Sequence, residues 1–137
     1  MATKITVTAL VNAPIEKVWD NWTKPQHITK WNFAVDDWQC PKAENDLKIG
    51  GKYFARMEAK DGSFGFDFEA IYDVVNENEE LTYTMSDGRK ATTIFESIGS
   101  KTNVTTTFDA ERENPFEMQQ QGWQMILNNF KKYAETN

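Results

Sequence analysis

The chain has 137 residues, of which 39% are hydrophobic and 13% aromatic, so it can bury a substantial core as one domain over residues 1–137. Its formal net charge of −6 disfavours nucleic acid and anionic membrane surfaces as partners, because an acidic surface repels their phosphate groups. A single Cys excludes an internal disulfide, and no stretch resembles a signal peptide or a membrane span, so we expect a soluble, cytoplasmic protein.

The first part of the chain predicts one strand followed by two short helices. Residues 4–11 alternate between apolar and polar side chains and are rich in β-branched types, which is typical of a strand. Pro14 suits the first position of an amphipathic helix, and Pro25 breaks that helix and begins another turn or two. Further on, we expect one short strand over residues 34–40 that ends at Pro41 and leads into a polar loop.

The middle of the chain predicts a first β-hairpin. Asp61-Gly62 favours a two-residue turn between residues 52–60 and residues 63–73. That loop length determines how the two strands pair. The expected inward pairs are Met57 with Phe66, Ala55 with Phe68 and Tyr53 with Ala70, and the outward pairs are Arg56 with Asp67 and Phe54 with Glu69.

A second hairpin is predicted around the turn Asp87-Gly88, between residues 80–86 and 89–96, and a last strand follows over residues 102–108. The last two strands are expected to pair Phe95 with Val104, Thr93 with Thr106 and Ala91 with Phe108. In this arrangement three apolar side chains of the preceding strand lie on the outer face of the sheet: Leu81, Tyr83 and Met85. A bulge could instead turn part of that strand inward, and the sequence leaves both arrangements open.

The longest predicted helix covers residues 114–135. Asn114, Pro115 and Glu117 form a capping-box pattern at its start, in which the Asn and Glu side chains satisfy free backbone N–H groups. An apolar stripe follows at helical spacing: Phe116, Gln120, Trp123, Leu127, Phe130 and Ala134. We therefore predict an α+β fold, in which a curved antiparallel sheet of about seven strands surrounds this C-terminal helix, with two short helices after strand 1.

Four segments together resemble one known family. They are residues 13–19 (APIEKVW), 46–53 (DLKIGGKY), 87–89 (DGR) and 122–127 (GWQMIL). In this order they look like the signature segments of the AHSA-like family, relatives of the activator of the heat-shock-protein ATPase within the START-like (SRPBCC) superfamily. The resemblance implies a helix-grip fold and a stress-related or co-chaperone role. The superfamily also hosts lipid carriers and polyketide cyclases, so the resemblance specifies the fold more than the function.

The sequence offers little raw material for catalysis or metal binding. His27 is the only His and Cys40 the only Cys, and we expect a surface or capping role for the first and an inert thiol, buried or half-buried, for the second. Neither a Cys/His cluster for zinc nor a Gly-rich loop with the spacing that phosphate needs is present. We therefore predict no catalytic residue, no metal and no cofactor.

Aromatic side chains are the stronger functional signal. The side chains expected to line a ligand site between sheet and C-terminal helix are Trp31, Trp38, Tyr53, Met57, Phe66, Phe68, Phe95, Gln120, Trp123 and Leu127. Large rings can fill this space as an ordinary core, or they can border a cavity of the kind that START-like proteins use for apolar ligands. Threonines on the same face, with Tyr53 and Gln120 near the rim, would supply the few polar groups such a pocket needs.

Two main functional hypotheses follow. The first is a protein that binds a small apolar or aromatic molecule, such as a lipid or polyketide, beneath the helix. The second, implied by the resemblance, is a protein-interaction domain whose partner is a chaperone or another protein. A cyclase-like enzyme is a further alternative that no acid–base pair in the sequence supports. Both a monomer and a homodimer are compatible with the sequence.

Overall fold

The computed structural model describes residues 3–136. Its elements follow one another as β1 (Lys4–Val11), α1 (Ile15–Thr23), α2 (Pro25–Trp31), β2 (Trp38–Asn45), β3 (Lys52–Ala59), β4 (Gly65–Asn76), β5 (Glu80–Met85), β6 (Lys90–Ile98), β7 (Lys101–Asp109) and α3 (Phe116–Thr136). The strands form one seven-stranded antiparallel sheet in the order β1-β7-β6-β5-β4-β3-β2. α3 packs against the curled sheet, with α1 and α2 beside it, which confirms the predicted α+β architecture. No helix in the described part of the chain is long and apolar enough to cross a membrane.

The β3–β4 hairpin has the predicted register. The inward pairs are Tyr53 with Ala70, Ala55 with Phe68 and Met57 with Phe66. At the turn, Gly62 takes a φ of 79°, a left-handed conformation that glycine adopts without strain. A turn of defined length therefore determines which side chains of this hairpin face the interior.

The β5–β6 hairpin differs from the prediction by one residue. Thr84 pairs with Lys90, so the loop between the strands covers residues 86–88 instead of residues 87 and 88 alone. Gly88 takes a φ of 91°, the left-handed conformation found in three-residue hairpin loops. A shift of one residue moves every side chain of a strand to its other face. The side chains that consequently face the interior are Leu81, Tyr83 and Met85.

β2 begins and ends later than predicted. The strand expected at residues 34–40 is instead Trp38–Asn45 and continues through Pro41. Its pairing with β3 shifts between Gln39 and Lys42, so Pro41 lies in an irregular part of the ladder. β2 is also an edge strand of the sheet. Because proline has no N–H to donate, an edge strand tolerates it at a bulge without ending there.

α3 begins at Phe116, later than the predicted helix. The backbone N–H of Gln119 donates to the carbonyl oxygen of Pro115 at 3.2 Å, so Pro115 holds the cap position and Asn114 precedes it. The side-chain amide of Asn114 donates to the Glu111 carboxylate, and the backbone carbonyl oxygen of Asn114 accepts from Gln119 Nε2. The predicted capping box of Asn114 and Glu117 is therefore out of register, and it does not form within residues 3–136.

Two glutamines of α3 cover the free edge of β1. Gln124 Nε2 donates to the carbonyl oxygen of Thr8 at 2.9 Å, and the N–H of Thr8 donates to Gln124 Oε1 at 3.3 Å. Gln120 Nε2 donates to the carbonyl oxygen of Thr6 at 3.3 Å. These contacts occupy backbone groups that would otherwise be open to pairing with another strand. They also explain why Gln120 is exposed instead of lying in the predicted buried stripe.

We expect Gln124→Ala to lower the free energy of unfolding by about 1 kcal/mol, because the backbone groups of Thr8 lose their side-chain partner. Urea unfolding followed by tryptophan fluorescence measures the change. The matched control is Gln121→Ala, an exposed glutamine of the same helix, which should shift the free energy by less than about 0.5 kcal/mol. Equal losses in the two variants would contradict a specific role of Gln124 at the β1 edge.

Candidate functional site

A cavity of about 390 Å³ lies between the sheet and the first half of α3. Most of its lining side chains are aromatic or aliphatic, and α1 and α2 contribute Trp22 and Trp31 to it. Two of its lining side chains, Phe66 and Met118, are 50% and 58% exposed. The mouth of the cavity is therefore between β4 and the start of α3.

The structure brings most of the predicted ligand-site residues together on the wall of this cavity. They are Trp31, Tyr53, Met57, Phe66, Phe68, Trp123 and Leu127. Trp123 lies flat against Phe108, with ring centroids 3.8 Å apart, so its ring also connects α3 to β7. The hairpin register and the helical stripe predicted from the sequence account for this convergence.

Three predicted residues lie off the wall. Trp38 stands outside it, with its ring 6.2 Å from that of Phe66. Phe95 is only 4% exposed and packs edge-on against Trp19 and Trp22, so it belongs to the filled core. Gln120 contacts the edge of β1 instead of the cavity.

Several lining residues were not predicted from the sequence. They are Trp22, Tyr72, Tyr83, Arg89, Gln119 and Gly122, among others. Tyr83 was missed because the β5–β6 loop is one residue longer than the predicted turn. The sequence signal at this turn was Gly88, the third residue of the loop. A glycine there is compatible with a two-residue loop and with a three-residue loop. Gln119 was missed because the predicted apolar stripe of the helix contained the neighbouring Gln120 instead.

Aromatic rings of β3, β4 and β5 form one continuous wall of the cavity. The rings of Tyr53 and Tyr83 stack with centroids 5.7 Å apart, and the Phe68 ring meets them edge-on at 5.9 and 5.8 Å. The Tyr72 ring lies 6.1 Å from that of Tyr83. Ring pairs at such distances attract one another, so this wall holds its shape without a ligand.

The hydroxyl groups on this wall have different partners. Tyr72 donates its hydroxyl proton to Asn45 Oδ1 at 2.8 Å. The hydroxyl oxygen of Tyr53 accepts from Asn32 Nδ2 at 3.3 Å. The hydroxyl of Tyr83 makes no hydrogen bond to any residue that the structure describes. It is thus a polar group on the wall that the surrounding protein leaves unused.

The cavity has polar groups inside it and charged groups only at its outer end. The buried hydroxyls of Thr93 and Thr106 bond each other at 2.9 Å. The charged side chains among the lining residues are Arg89 and Glu111, and both also border a separate depression on the surface. Arg89 Nε donates to Asp87 Oδ2 at 2.7 Å, so its charge is balanced by a carboxylate.

Gln119 holds the connection between β7 and α3 at the mouth of the cavity. Its Nε2 donates to the carbonyl oxygens of Glu111 and Asn114 at 3.2 and 2.7 Å. Its Oε1 accepts from the backbone N–H of Glu111 at 2.8 Å. Because this amide is fully occupied by the backbone, Gln119 shapes the mouth and leaves little hydrogen-bonding capacity for a ligand.

Gly122 lies in α3 on the cavity wall. A Cβ atom built on it would meet no other atom within 4 Å, apart from its own helical turn. Close packing of the helix on the sheet therefore does not require glycine at this position. Its effect is to leave the cavity deeper on the helix side.

The remaining reactive side chains lie away from the cavity. His27 Nδ1 is 2.6 Å from the Tyr133 hydroxyl oxygen and connects α2 to α3. Burial raises the pKa of the Cys40 thiol to about 11, which agrees with the expected inert, buried thiol. Within the described residues, no three His, Cys, Asp or Glu side chains come together as metal ligands would.

The family model for activator of Hsp90 ATPase homolog 1-like (AHSA1-like) proteins matches residues 12–135. The chain belongs to this family. The match covers all elements from α1 to β7 and nearly all of α3, and it confirms the resemblance seen in the four sequence segments.

Solved structures of relatives have the same fold as this AHSA1-like chain. The AHSA1-like protein from Aeromonas hydrophila is 42% identical with a TM-score of 0.92, over 98% of this chain and 93% of that one. Chr148 from Cytophaga hutchinsonii is 51% identical with a TM-score of 0.84, over 98% and 93%. CV1439 from Chromobacterium violaceum, at 21% identity, has a TM-score of 0.87 over 98% and 99%, which extends the shared fold to distant relatives. No curated protein matches the chain.

The buried tyrosines of this family member should make its stability depend on alkaline pH. Burial raises the pKa values of Tyr53, Tyr72, Tyr83 and Tyr133, and nearby tyrosines add to the effect at Tyr53 and Tyr83. The folded state therefore keeps protons that the unfolded chain loses near pH 10. This contribution to stability is complete below about pH 10 and is lost as the pH rises towards the folded-state pKa values.

We expect the folded protein at pH 10 to show clearly less tyrosinate absorbance at 295 nm than the unfolded chain in urea, which is about half ionised. Urea unfolding at pH 8, 10 and 11 should show the free energy of unfolding falling only above about pH 10, by up to about 1.4 kcal/mol per pH unit for each buried tyrosine. Half-ionisation of all tyrosines at pH 10 in the folded state would contradict the enclosed aromatic wall.

Proposed function

We propose that this protein binds one small apolar or aromatic molecule in the cavity between its sheet and α3. The observation that supports this most directly is the cavity itself, about 390 Å³ in volume and bordered mainly by aromatic and aliphatic side chains. Ligand sites commonly occupy about 300–1,000 Å³ and place a few polar groups on apolar walls. The family and its helix-grip fold are compatible with this role.

The glycine on the helix side of the cavity supports the same proposal. Glycine inside a helix is less favourable than alanine by about 1 kcal/mol, and nothing around Gly122 would clash with a Cβ atom. The chain thus has a helix-weakening residue where a side chain would reduce the space for a ligand. Binding of a ligand in this space would explain why the helix has a glycine here.

Binding can be measured through Trp123, which lies on the cavity wall. We expect its fluorescence to change saturably during titration with at least one member of a panel of flavonoids, fatty acids and aromatic polyketides. The Trp123→Phe variant is the control, because the chain contains five Trp and the signal must be assigned to one of them. A panel that produces no Trp123-dependent change would count against the proposal.

A substitution that fills the cavity should block the same ligand. We expect Gly122→Leu to weaken binding at least about 10-fold, because the leucine side chain enters the space the ligand needs. Gln121→Leu adds the same side chain at an exposed position of the helix and should leave the affinity unchanged. Circular dichroism and urea unfolding establish that both variants are folded. Unchanged affinity in folded Gly122→Leu would place the ligand elsewhere.

A second candidate function is recognition of a chaperone, favoured by the description of the family as homologous to an activator of the Hsp90 ATPase. Phe64, near the tip of the β3–β4 hairpin, is 73% exposed and could contact a protein partner. An ATPase assay of an Hsp90-type chaperone, with and without this protein, tests the idea. Phe64→Ser should reduce any stimulation, whereas Gly122→Leu should reduce only ligand binding.

A further inference from the structure

The polar groups of the cavity specify its ligand more narrowly. We propose that the ligand is an uncharged ring compound with an acceptor oxygen, such as a ketone or a lactone, and that the Tyr83 hydroxyl donates a hydrogen bond to that oxygen. This inference rests on the proposed ligand binding and adds the chemistry of the ligand. It is carried by an unused donor, by the distribution of charge and by the shape of the aromatic wall.

The unused donor is the hydroxyl of Tyr83. The neighbouring Tyr72 hydroxyl donates to Asn45 Oδ1, and the Tyr53 hydroxyl oxygen accepts from Asn32 Nδ2, so of the three tyrosines on the wall Tyr83 is the one whose hydroxyl makes no hydrogen bond at all within the described part of the chain. No residue among 3–136 offers the Tyr83 hydroxyl a partner. The Tyr83 side chain is half-buried on the cavity wall, so its hydroxyl is open to a molecule in the cavity, either a ligand or water.

A ligand oxygen suits this site better than a ligand donor. Burial and the neighbouring Tyr72 raise the pKa of Tyr83, so its proton stays on the hydroxyl at physiological pH. Arg89, another polar residue of the lining, carries only N–H donors. A carbonyl oxygen of the ligand can accept hydrogen bonds from such groups. Unlike a ligand hydroxyl, it brings no proton that would need an acceptor of its own.

The distribution of charge favours an uncharged ligand. The guanidinium of Arg89 is engaged by Asp87 at 2.7 Å and by the carbonyl oxygen of Asp109 at 3.2 Å. Glu111 adds a further carboxylate beside it. A ligand carboxylate would lose its hydration in this apolar cavity and would find the Arg89 guanidinium already paired. The cost of this desolvation therefore makes a charged ligand unfavourable.

The shape of the wall favours a ring. The stacked rings of Tyr53 and Tyr83 lie within 29° of parallel on the sheet side. Trp123, on the helix side, presents a second ring that stacks on Phe108 within 12° of parallel. A ligand ring placed between the sheet and the helix can contact aromatic surface on both sides, as stacked and edge-on ring pairs do in protein cores.

A matched pair of ligands tests the hydrogen bond. Tetralin and 1-tetralone share a two-ring skeleton, and the second replaces one methylene group by a carbonyl. The ratio of their dissociation constants is measured by isothermal titration calorimetry or by NMR chemical-shift titration, first in the unaltered protein and then in Tyr83→Phe. We expect the preference for 1-tetralone to fall about 10-fold in Tyr83→Phe, while the affinity for tetralin stays the same.

The control is Tyr133→Phe, which removes the same group from a tyrosine whose hydroxyl contacts His27, outside the cavity. It should leave the ratio unchanged. The assignment to Tyr83 would be overturned if Tyr83→Phe did not alter the ratio of dissociation constants. It would also be overturned if Arg89→Met alone abolished the preference for 1-tetralone. 1-Naphthoate that binds more tightly than 1-tetralone would overturn the uncharged class.

Two results separate this inference from the proposed function. If both two-ring ligands bind and Gly122→Leu weakens both, ligand binding stands whatever the outcome with Tyr83→Phe. If neither binds and the wider panel also fails, both proposals fall together. The infrared carbonyl stretch of bound 1-tetralone provides a reading that does not depend on the folding of a variant. It should lie below its frequency in hexane, and an unshifted band would overturn the hydrogen bond.

Discussion

The structure depends on how α3 is held against the sheet at one end. The Phe130 ring meets Trp22 and Trp31 edge-on, at 4.8 and 4.9 Å, and both Phe130 and the nearby Ala134 are fully buried. Earlier in the helix, Gly122 and the side chains beside it face a cavity instead of a filled core. Because large rings are buried at the far end, the helix can stay in place without filling the space beneath its first half.

Hydrogen bonds from three glutamines also hold α3 in place. Gln124 and Gln120 bond to backbone groups at the edge of β1, and Gln119 bonds to the connection that precedes α3. These glutamines orient the helix, and of the three Gln119 borders the cavity, at its mouth. On the opposite side, the tyrosine rings contact one another, so the wall does not need a ligand to support it. The side chains that border the cavity are thus held by contacts within the protein.

The extent to which the sequence predicts the site differs between the two hairpins. Around Asp61-Gly62 the strand register was predicted correctly, and Phe66 and Phe68 were placed on the correct strand positions and reach the cavity wall. Around Gly88 the same kind of signal allows loops of two or three residues, and the longer loop reverses the faces of β5. The sequence therefore left open whether Tyr83 faces outward or inward, although it carries the unused hydroxyl of the site.

By itself, the sequence determined the order of the elements, the inward face of the first hairpin and most of the buried stripe of α3, because these depend on local turn chemistry and residue periodicity. Only the tertiary structure decided whether the aromatic residues fill the interior or border a cavity. That outcome depends on how rings from separate strands and helices meet: Phe95 packs edge-on against Trp19 and Trp22, while Tyr83 and Trp123 both border the cavity. No local pattern contains that distinction, since identical residue types serve both purposes.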